Sequence, residues 1–488
     1  MSRQFVISIG VTLFYASSGY QIGAISPIIK DLESSSSSIH WTELDSGFFG
    51  SAGSIGCLIG VATMAIAHSF YSIDRRNEIA LSAVPTTLGW LLCVIGTSDL
   101  QLIFGYIFVG IGKTMSYLSV PVYTSEICDP DLRALVGSAF GFVYLFSRLM
   151  SFFLSIFINR HWLCIVPIIT TWIGLITILF PPDSPRWYVM NGQIENAKYS
   201  IRWFKRHRHI NVDDAIEEIK YSIQSSMHAS VTIKEIFSNP LYYKPWFILL
   251  IFSFQIVFYA NPFFGYLENV LQAMGVTHVG AIATGLAVWQ LIFSIVGIYL
   301  IRLFPRKVML SISHFGMSLA MVLFAFYCYY IKDWIKIGVH NSTWKSILIE
   351  SAPTAIIGLL FLFYSIGMQN MVLLIVSEQS PNRLRSKLMS QYVIVSYAGQ
   401  FVVMLTYNSL IAVIGTGTFY LLNAVILIAL TLTYLWFAPE TKGRSLEIIE
   451  SSYSARHWIC CKPFGGREID RDAEVTIPLV ETVSIHMP

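Results

Sequence analysis

Two cations lie inside long apolar stretches of the chain, Lys113 and Arg148. A charged side chain near the centre of a membrane span costs about 2.5–3.5 kcal/mol on insertion scales, so each cation requires water or an anion beside it. A guanidinium in such a place can bind an anionic group or donate hydrogen bonds to hydroxyls. For Lys113 the sequence favours a plainer role, in which the ammonium reaches the membrane interface or bonds to helix carbonyls.

Two amides occur in one later apolar stretch, Gln255 and Asn261. Amides both donate and accept hydrogen bonds, so they can bind hydroxyl groups. Six residues turn a helix through 600°, which leaves the two side chains about 120° apart and able to flank one cavity. The alternative is ordinary hydrogen bonding between helices, the commonest role of buried amides. The sequence leaves both possibilities open.

The composition shows that these residues belong to a membrane protein. Of the 488 residues, 55% are hydrophobic and 12% charged, with a mean hydropathy of +0.61. Soluble domains carry about 25% charged residues and could not bury so much apolar surface. This excludes a cytosolic enzyme, a nucleic-acid binder and a disordered scaffold. Since no nucleophile, base and oxyanion donors or metal ligands gather in the sequence, we expect neither an enzyme nor a cofactor.

Twelve apolar stretches are long enough to be membrane helices, at residues 5–29, 47–70, 79–96, 102–123, 135–157, 163–180, 245–271, 279–300, 308–331, 353–377, 388–414 and 419–437. The sequence predicts an all-α protein of four parts: a six-helix half (1–180), a loop with short amphipathic helices (181–244), a second six-helix half (245–438) and a tail with a disordered end (439–488). In the loop, Ile216, Ile219 and Ile223 recur at helical spacing.

The distribution of basic residues predicts the orientation. With both termini in the cytoplasm, 25 of the 32 Lys and Arg residues fall inside, a strong positive-inside bias. The Asn341-Ser342-Thr343 triplet then lies outside, so we expect a glycan on Asn341. We therefore expect a multi-pass protein of the cell membrane whose contacts are the lipid bilayer and a small molecule, without nucleic acid. Its oligomeric state stays open.

Two short motifs occur once in each half. Glu126 is followed seven residues later by Arg133, and Glu378 by Arg385, at an offset of 252 residues; Pro182-Asp183-Ser184 recurs as Pro439-Glu440-Thr441 at an offset of 257. Such repeats indicate two parallel six-helix halves.

On these motifs the chain resembles the sugar-porter family of the major facilitator superfamily over nearly its full length. Residues Pro182-Asp183-Ser184-Pro185-Arg186-Trp187 resemble that family's motif after the sixth helix, and Pro439-Glu440-Thr441-Lys442-Gly443-Arg444 match its Pro-Glu-Thr-Lys-Gly motif. Trp187-Tyr188 and Ile201-Arg202-Trp203-Phe204 resemble arthropod trehalose and sugar transporters. The resemblance implies two pseudo-symmetric halves with a sugar site between them at mid-membrane.

Charged residues at the inner helix ends are consistent with a cytoplasmic gate. In low dielectric they can pair across the seam when the inside is shut, each pair being worth about 1 kcal/mol if solvated and several if buried. The alternative is that they anchor helix ends at the lipid headgroups. The gate candidates are Glu126, Arg133, Asp183, Arg186, Glu378, Arg385, Glu440 and Arg444, with Asp74 and Arg75 after the second span.

The family's patterns are incomplete in this chain. Its Asp-Arg-x-Gly-Arg-Arg motif survives as Asp74-Arg75, with Asn77 and Glu78 in place of Gly and Arg. The corresponding loop of the second half, residues 302–307, lacks the motif's acid and glycine, and Tyr106 stands in place of an Arg.

The resemblance also suggests which residues line the cavity. Gln255 and Asn261 keep the family's Gln-x5-Asn spacing, although Ile256 replaces a second Gln. The other aligned positions are changed: Ser396-Tyr397 for Asn-Trp, Leu373 for a stacking Trp and Gly141 for a sugar-contacting Gln. Because Arg148 follows Gly141 by seven residues, at nearly the same helical angle, we expect Arg148 to face the cavity.

Three functions follow as hypotheses. The leading one is a facilitative carrier of a hexose or disaccharide such as trehalose, working by alternating access. Gln21 stands where proton-coupled relatives have an Asp, which favours uniport. The second is a carrier of an organic anion with Arg148, and Lys113 in addition, as countercharge. The third is a transport-inactive sensor or scaffold.

Overall fold

The computed structural model describes residues 3–33, 39, 41–70, 73–204, 211–227, 233–258, 261–336, 343–381, 383–444, 449–450 and 452–453. Six long helices form the first half: α1 (Arg3–Glu33), α2 (Glu43–Phe70), α3 (Arg75–Ile95), α4 (Asp99–Ile127), α5 (Pro130–Ser155) and α6 (Arg160–Leu179). Here the inner end of the bundle is the end where α2 meets α3, and the outer end is the one where α1 meets α2.

Four shorter helices follow, α7 (Pro185–Met190), α8 (Ile194–Phe204), α9 (Val212–Met227) and α10 (Ile233–Ser238). Ile216 on α9 is buried against Val189, Ala197 and Ile201 of the two preceding helices, and Ile219 and Ile223 pack on the same cluster. The apolar face of this helix is therefore covered by its neighbours.

The described residues of the second half form nine helical segments: α11 (Pro240–Phe258), α12 (Asn261–Gly265), α13 (Leu267–Ala273), α14 (Val279–Leu303), α15 (Arg306–Lys336), α16 (Thr343–Ile366), α17 (Met368–Gln379), α18 (Arg385–Ile414) and α19 (Thr416–Phe437). Among the described residues, eleven helical stretches are long and apolar enough to cross a membrane, and α5 adds a shorter apolar stretch over Ala139–Ser155. The structure therefore supports the twelve-helix membrane architecture.

Two of the predicted spans are interrupted rather than continuous. The span 245–271 breaks at Tyr266, between α12 and α13, where φ of −121° and ψ of 27° are not helical. The span 353–377 breaks at Gly367, whose φ of −124° and ψ of −85° are not helical. The hydroxyl of Ser313 accepts from the backbone N–H of Met368 at 3.1 Å, which satisfies the first turn of α17. Side chains distant in sequence thus stabilise a break that hydropathy alone does not reveal.

The two halves meet along two helix pairs, α2 with α18 and α5 with α14. These are corresponding pairs under exchange of the halves, since α2 and α5 occupy the second and fifth places in one half and α14 and α18 the second and fifth in the other. The remaining space between the halves is a central cavity.

Glycines let α2 and α4 approach closely within the first half. A Cβ atom on Gly56 would overlap the carbonyl oxygen of Ile107, and one on Gly110 would overlap the carbonyl oxygen of Gly53. Small residues in this arrangement are the usual means by which membrane helices pack closely.

Gly56→Ala is therefore expected to destabilise the protein, by about 1–3 kcal/mol, because the added methyl group forces the helices apart. Gly285→Ala is the matched control: Gly285 is exposed on α14 and has nothing within 4 Å of the added atom. We expect Gly285→Ala to leave the free energy of unfolding unchanged, or to raise it by up to about 1 kcal/mol because alanine has the higher helix propensity. Thermal unfolding of both purified variants checks this, and equal Tm changes would contradict the close packing.

Candidate functional site

A cavity of about 600 Å³, part of it open to solvent, lies between the two halves. Its wall combines residues of α1, α2, α4 and α5 with residues of α12, α16 and α18. From the first half, the polar side chains of the wall include Gln21, Ser54, Lys113, Tyr144 and Arg148. From the second half, the wall includes the aromatic rings of Phe264 and Tyr364 and the amide of Gln400. This position and composition suit a polar small molecule.

Arg148 lies in the wall of the cavity and is 2% exposed. Its guanidinium carbon is 4.1 Å from the ring centre of Phe264 on α12 and 5.6 Å from that of Phe361 on α16. Both rings belong to the second half, so cation–π contacts hold this cation between the halves. Its donors lie in the plane of the guanidinium and point along its edge.

Lys113 also lines the cavity and is 8% exposed. Its ammonium lies 5.4 Å from the ring centre of Tyr397 on α18. The expectation that this lysine reaches the membrane interface is wrong, because its side chain points to the space between the halves, where an aromatic face receives it.

Gln255, the first of the two amides in the seventh predicted span, is not among the described residues that line this wall. Gln255 is fully buried on α11, and neither of its amide atoms has a hydrogen-bond partner there. Asn261 begins α12, but its side chain lies outside the described residues. The hydroxyl of Ser396 is likewise buried without a partner.

Gly141 faces the other half across open space. A Cβ atom there would meet a single neighbour, the Oδ1 atom of Asn370 at 3.9 Å. Asn370 lies on α17 and donates to the carbonyl oxygens of Ser294 and Ser365, both at 3.0 Å. The side chain of Leu373, on the same helix, lies outside the described residues.

The outer end of the cavity is closed by contacts between the halves. Lys30 on α1 forms an ion pair with Glu268 on α13 at 3.0 Å. The backbone N–H of Glu268 donates to the hydroxyl of Ser26 at 2.8 Å, so α1 caps the first turn of α13. Glu268 is thus held at the outer end by Lys30, whereas Arg148 lies deeper.

Further cross-half contacts surround this pair. The Tyr266 hydroxyl lies 3.0 Å from the carbonyl oxygen of Ser46 and can donate to it. Asn269 donates to a carboxylate oxygen of Glu33 at 2.8 Å, and Asn408 donates to the carbonyl oxygen of Glu43 at 3.2 Å. Four hydrogen bonds and one ion pair therefore join the outer ends.

At the inner end, the first half forms its own charge cluster. Asp183, after α6, pairs with Arg76 at 3.0 Å and accepts from the Tyr188 hydroxyl at 3.2 Å. Asp74 caps α3 by accepting from the N–H of Asn77. Burial and the adjacent Asp183 raise the pKa of Asp74, so its protonated form is favoured beside that carboxylate.

The second half repeats this arrangement with a different cation. Arg306, at the start of α15, pairs with Glu378 at 3.2 Å. Glu440 accepts from the backbone N–H groups of Arg306 and Lys307 at 2.9 and 3.0 Å. Thr441 donates to Glu378 at 2.6 Å. Each cluster stays within one half, in contrast to the contacts at the outer end.

The cations in these two clusters differ from those expected. Asp183 and Glu378 pair with Arg76 and Arg306, which the sequence did not assign as gate residues. The sequence did indicate these two arginines as candidates, since Arg76 directly follows Asp74-Arg75 and Arg306 stands in the corresponding loop of the second half. The expected pairing across the seam stays a prediction for a state with a closed inner end.

The remaining gate candidates are distributed as follows. Arg75 pairs with Glu78 on its own helix at 3.0 Å. Glu126 lies beside Ser184 and near Arg75 and Arg186. Arg385 begins α18 and is half-buried, and Arg444 is exposed after the Thr441 turn. The side chain of Arg133 and all of Asn341 lie outside the described residues.

The chain matches one protein family, described as "Sugar (and other) transporter", over residues 4–453. It is 25% identical to the facilitated trehalose transporter Tret1 of Bombyx mori, over 91% of this chain and 85% of that protein. It is also 25% identical to the solute carrier family 2, facilitated glucose transporter member 6, of Mus musculus, over 93% of this chain and 92% of that protein.

Among solved structures the fold is similar to that of the xylose transporter XylE from E. coli in an inward open conformation. The TM-score is 0.73 with 19% sequence identity, over 92% of this chain and 99% of that one. The predicted major facilitator fold and the resemblance to sugar porters are thereby confirmed.

Glu268→Gln is expected to loosen the outer end, because it removes the cross-half ion pair with Lys30. A partly exposed pair contributes up to about 1 kcal/mol, so the population with separated outer ends should rise roughly two- to fivefold. Spin labels on cysteines introduced at the exposed positions Leu44 and Val413, one in each half, would report this as a longer distance component. Asp31→Asn is the matched control, since Asp31 faces Arg160 within one half at 3.8 Å; equal changes in both variants would contradict the assignment.

Proposed function

The chain belongs to the sugar (and other) transporter family and is a multi-pass membrane transporter rather than an enzyme; from that premise we propose that it carries a sugar down its gradient by alternating access. The observation that carries this proposal is the difference between the outer and inner ends in the contacts that join the two halves. Among the described residues, five polar contacts join the halves at the outer end, whereas the charge clusters described at the inner end each lie within one half. Two bodies linked in this way can separate at one end and close at the other.

The substrate class is a hexose or a disaccharide such as trehalose. The cavity offers amide and hydroxyl groups, notably Gln21, Ser54 and Gln400, that can both donate to and accept from sugar hydroxyls. Relatives named as trehalose and glucose transporters support the same class.

Uniport is the proposed mode of transport. Proton coupling through the membrane requires a group that titrates there. Gln21 cannot titrate, none of the described residues lining the cavity is Asp, Glu or His, and the proposal assigns a permanent positive charge to Lys113 in that wall. The proposed location is the cell membrane, with both termini in the cytoplasm, because this orientation places most basic residues inside.

Closing of the outer end gives a direct test of alternating access. A side chain at Gly50 would press on the Tyr266 ring and hydroxyl, so Gly50→Val should hinder closure. Overpacking of about 1–3 kcal/mol corresponds to at least a fivefold loss of the closed state. Uptake of labelled glucose, trehalose and xylose in oocytes, corrected for surface protein, should fall accordingly.

Gly285→Val serves as the control for this experiment, because its added side chain enters open space. It should transport as the unmodified chain does. If oocytes with the unmodified chain take up none of these sugars faster than uninjected oocytes do, the carrier proposal fails for these sugars. The hypothesis of a transport-inactive sensor would then be favoured.

A further inference from the structure

We propose that the preferred substrate is an acidic sugar, a monosaccharide bearing a carboxylate such as a hexuronate, that Arg148 binds its carboxylate, and that Lys113 adds positive charge from the same cavity wall. This inference rests on the proposed sugar transport and specifies the chemistry of the same cavity. It follows from the charge of the wall, the placement of the guanidinium and the neutral polar groups opposite.

The wall of the cavity carries an excess of positive charge. Of the fifteen described residues that line it, two are cations and none is acidic. Glu268 cannot compensate at this depth because it pairs with Lys30 at the outer end. A wall whose described charged groups are all cations attracts an anionic ligand, and this attraction is stronger in a low-dielectric site than in water.

Arg148 is positioned as a carboxylate receptor. The rings of Phe264 and Phe361 hold its guanidinium carbon at 4.1 and 5.6 Å, which restricts the side chain before any ligand arrives. A guanidinium presents paired donors in one plane, a geometry that matches the two oxygens of a carboxylate. Restricting the donor in advance lowers the entropic cost of binding.

Lys113 supplies the second charge from the neighbouring helix α4. Its ammonium is buried beside the Tyr397 ring rather than at the membrane interface. An ammonium acts as a point charge without directional pairing, so Lys113 adds positive charge to the wall, whereas the Arg148 guanidinium supplies the directed donors.

The rest of the wall suits a sugar rather than a small organic acid. Gln400 on α18 and Tyr364 on α16 face from the second half, and Gln21 and Ser54 lie on the first.

Uptake by the full-length chain in liposomes tests this with matched ligands. D-glucuronate and D-glucuronamide have nearly the same shape and differ by one charge. Glucuronate should be transported about 10- to 100-fold more efficiently, the range expected for a charge-assisted hydrogen bond. An inside-positive potential of about 100 mV should let it accumulate up to roughly 50-fold, whereas the amide should only equilibrate.

Variants of the two cavity cations test which side chain recognises the carboxylate of glucuronate. Arg148→Gln should abolish the preference for glucuronate over glucuronamide, and Lys113→Gln should reduce it, while both keep transport of the amide. Arg302→Gln, which removes an exposed arginine at the inner end of α14, should leave the preference unchanged. Transport of the amide shows that each variant is folded.

Three results would overturn the inference. Equal uptake of glucuronate and glucuronamide would remove the acidic preference while leaving sugar transport intact. A preference that survives Arg148→Gln would place the anion elsewhere. Uptake of lactate as efficient as that of glucuronate would indicate a general organic-anion carrier. Failure of every sugar, charged or neutral, would instead count against the proposed transport itself.

Discussion

The cost of placing charge inside a membrane governs this molecule. Arg148 and Lys113 each carry a penalty of about 2.5–3.5 kcal/mol if left among lipids. The structure avoids that penalty by turning both side chains towards the space between the halves, where aromatic rings and polar groups surround them. These two cations therefore require a polar cavity between the halves, and the same cavity is the proposed substrate site.

The charges at the two ends of the bundle have different roles. Arg76 with Asp183 ties a loop to the start of α3, and Arg306 with Glu378 joins the ends of α15 and α17. Both pairs lie within one half, so each half can move as a unit. Lys30 with Glu268 crosses from one half to the other and is partly exposed, which makes it weak enough to break during a cycle. Strong local networks and weak bridging contacts together favour rocking of two rigid bodies.

Hydropathy, charge bias and the repeated motifs were enough to predict the membrane helices, the two halves and the family. The breaks at Tyr266 and at Gly367 were not predicted, because they depend on tertiary contacts such as the Ser313 hydroxyl at the start of α17. The cavity position of Lys113 was missed for the same reason: helical spacing does not reveal that Tyr397 lies opposite. Gln255 keeps a familiar spacing, yet is sealed from the cavity in this state.

The access of water to position 148 tests the central claim most directly. Arg148→Cys, in a chain whose seven native cysteines are changed to serine, would be exposed to a charged, membrane-impermeant thiol reagent from each side of sealed vesicles. The outer-end contacts predict rapid modification from the inner side and at least about tenfold slower modification from the outer side. No modification from either side would contradict the account, because position 148 would then face lipid or a closed helix seam.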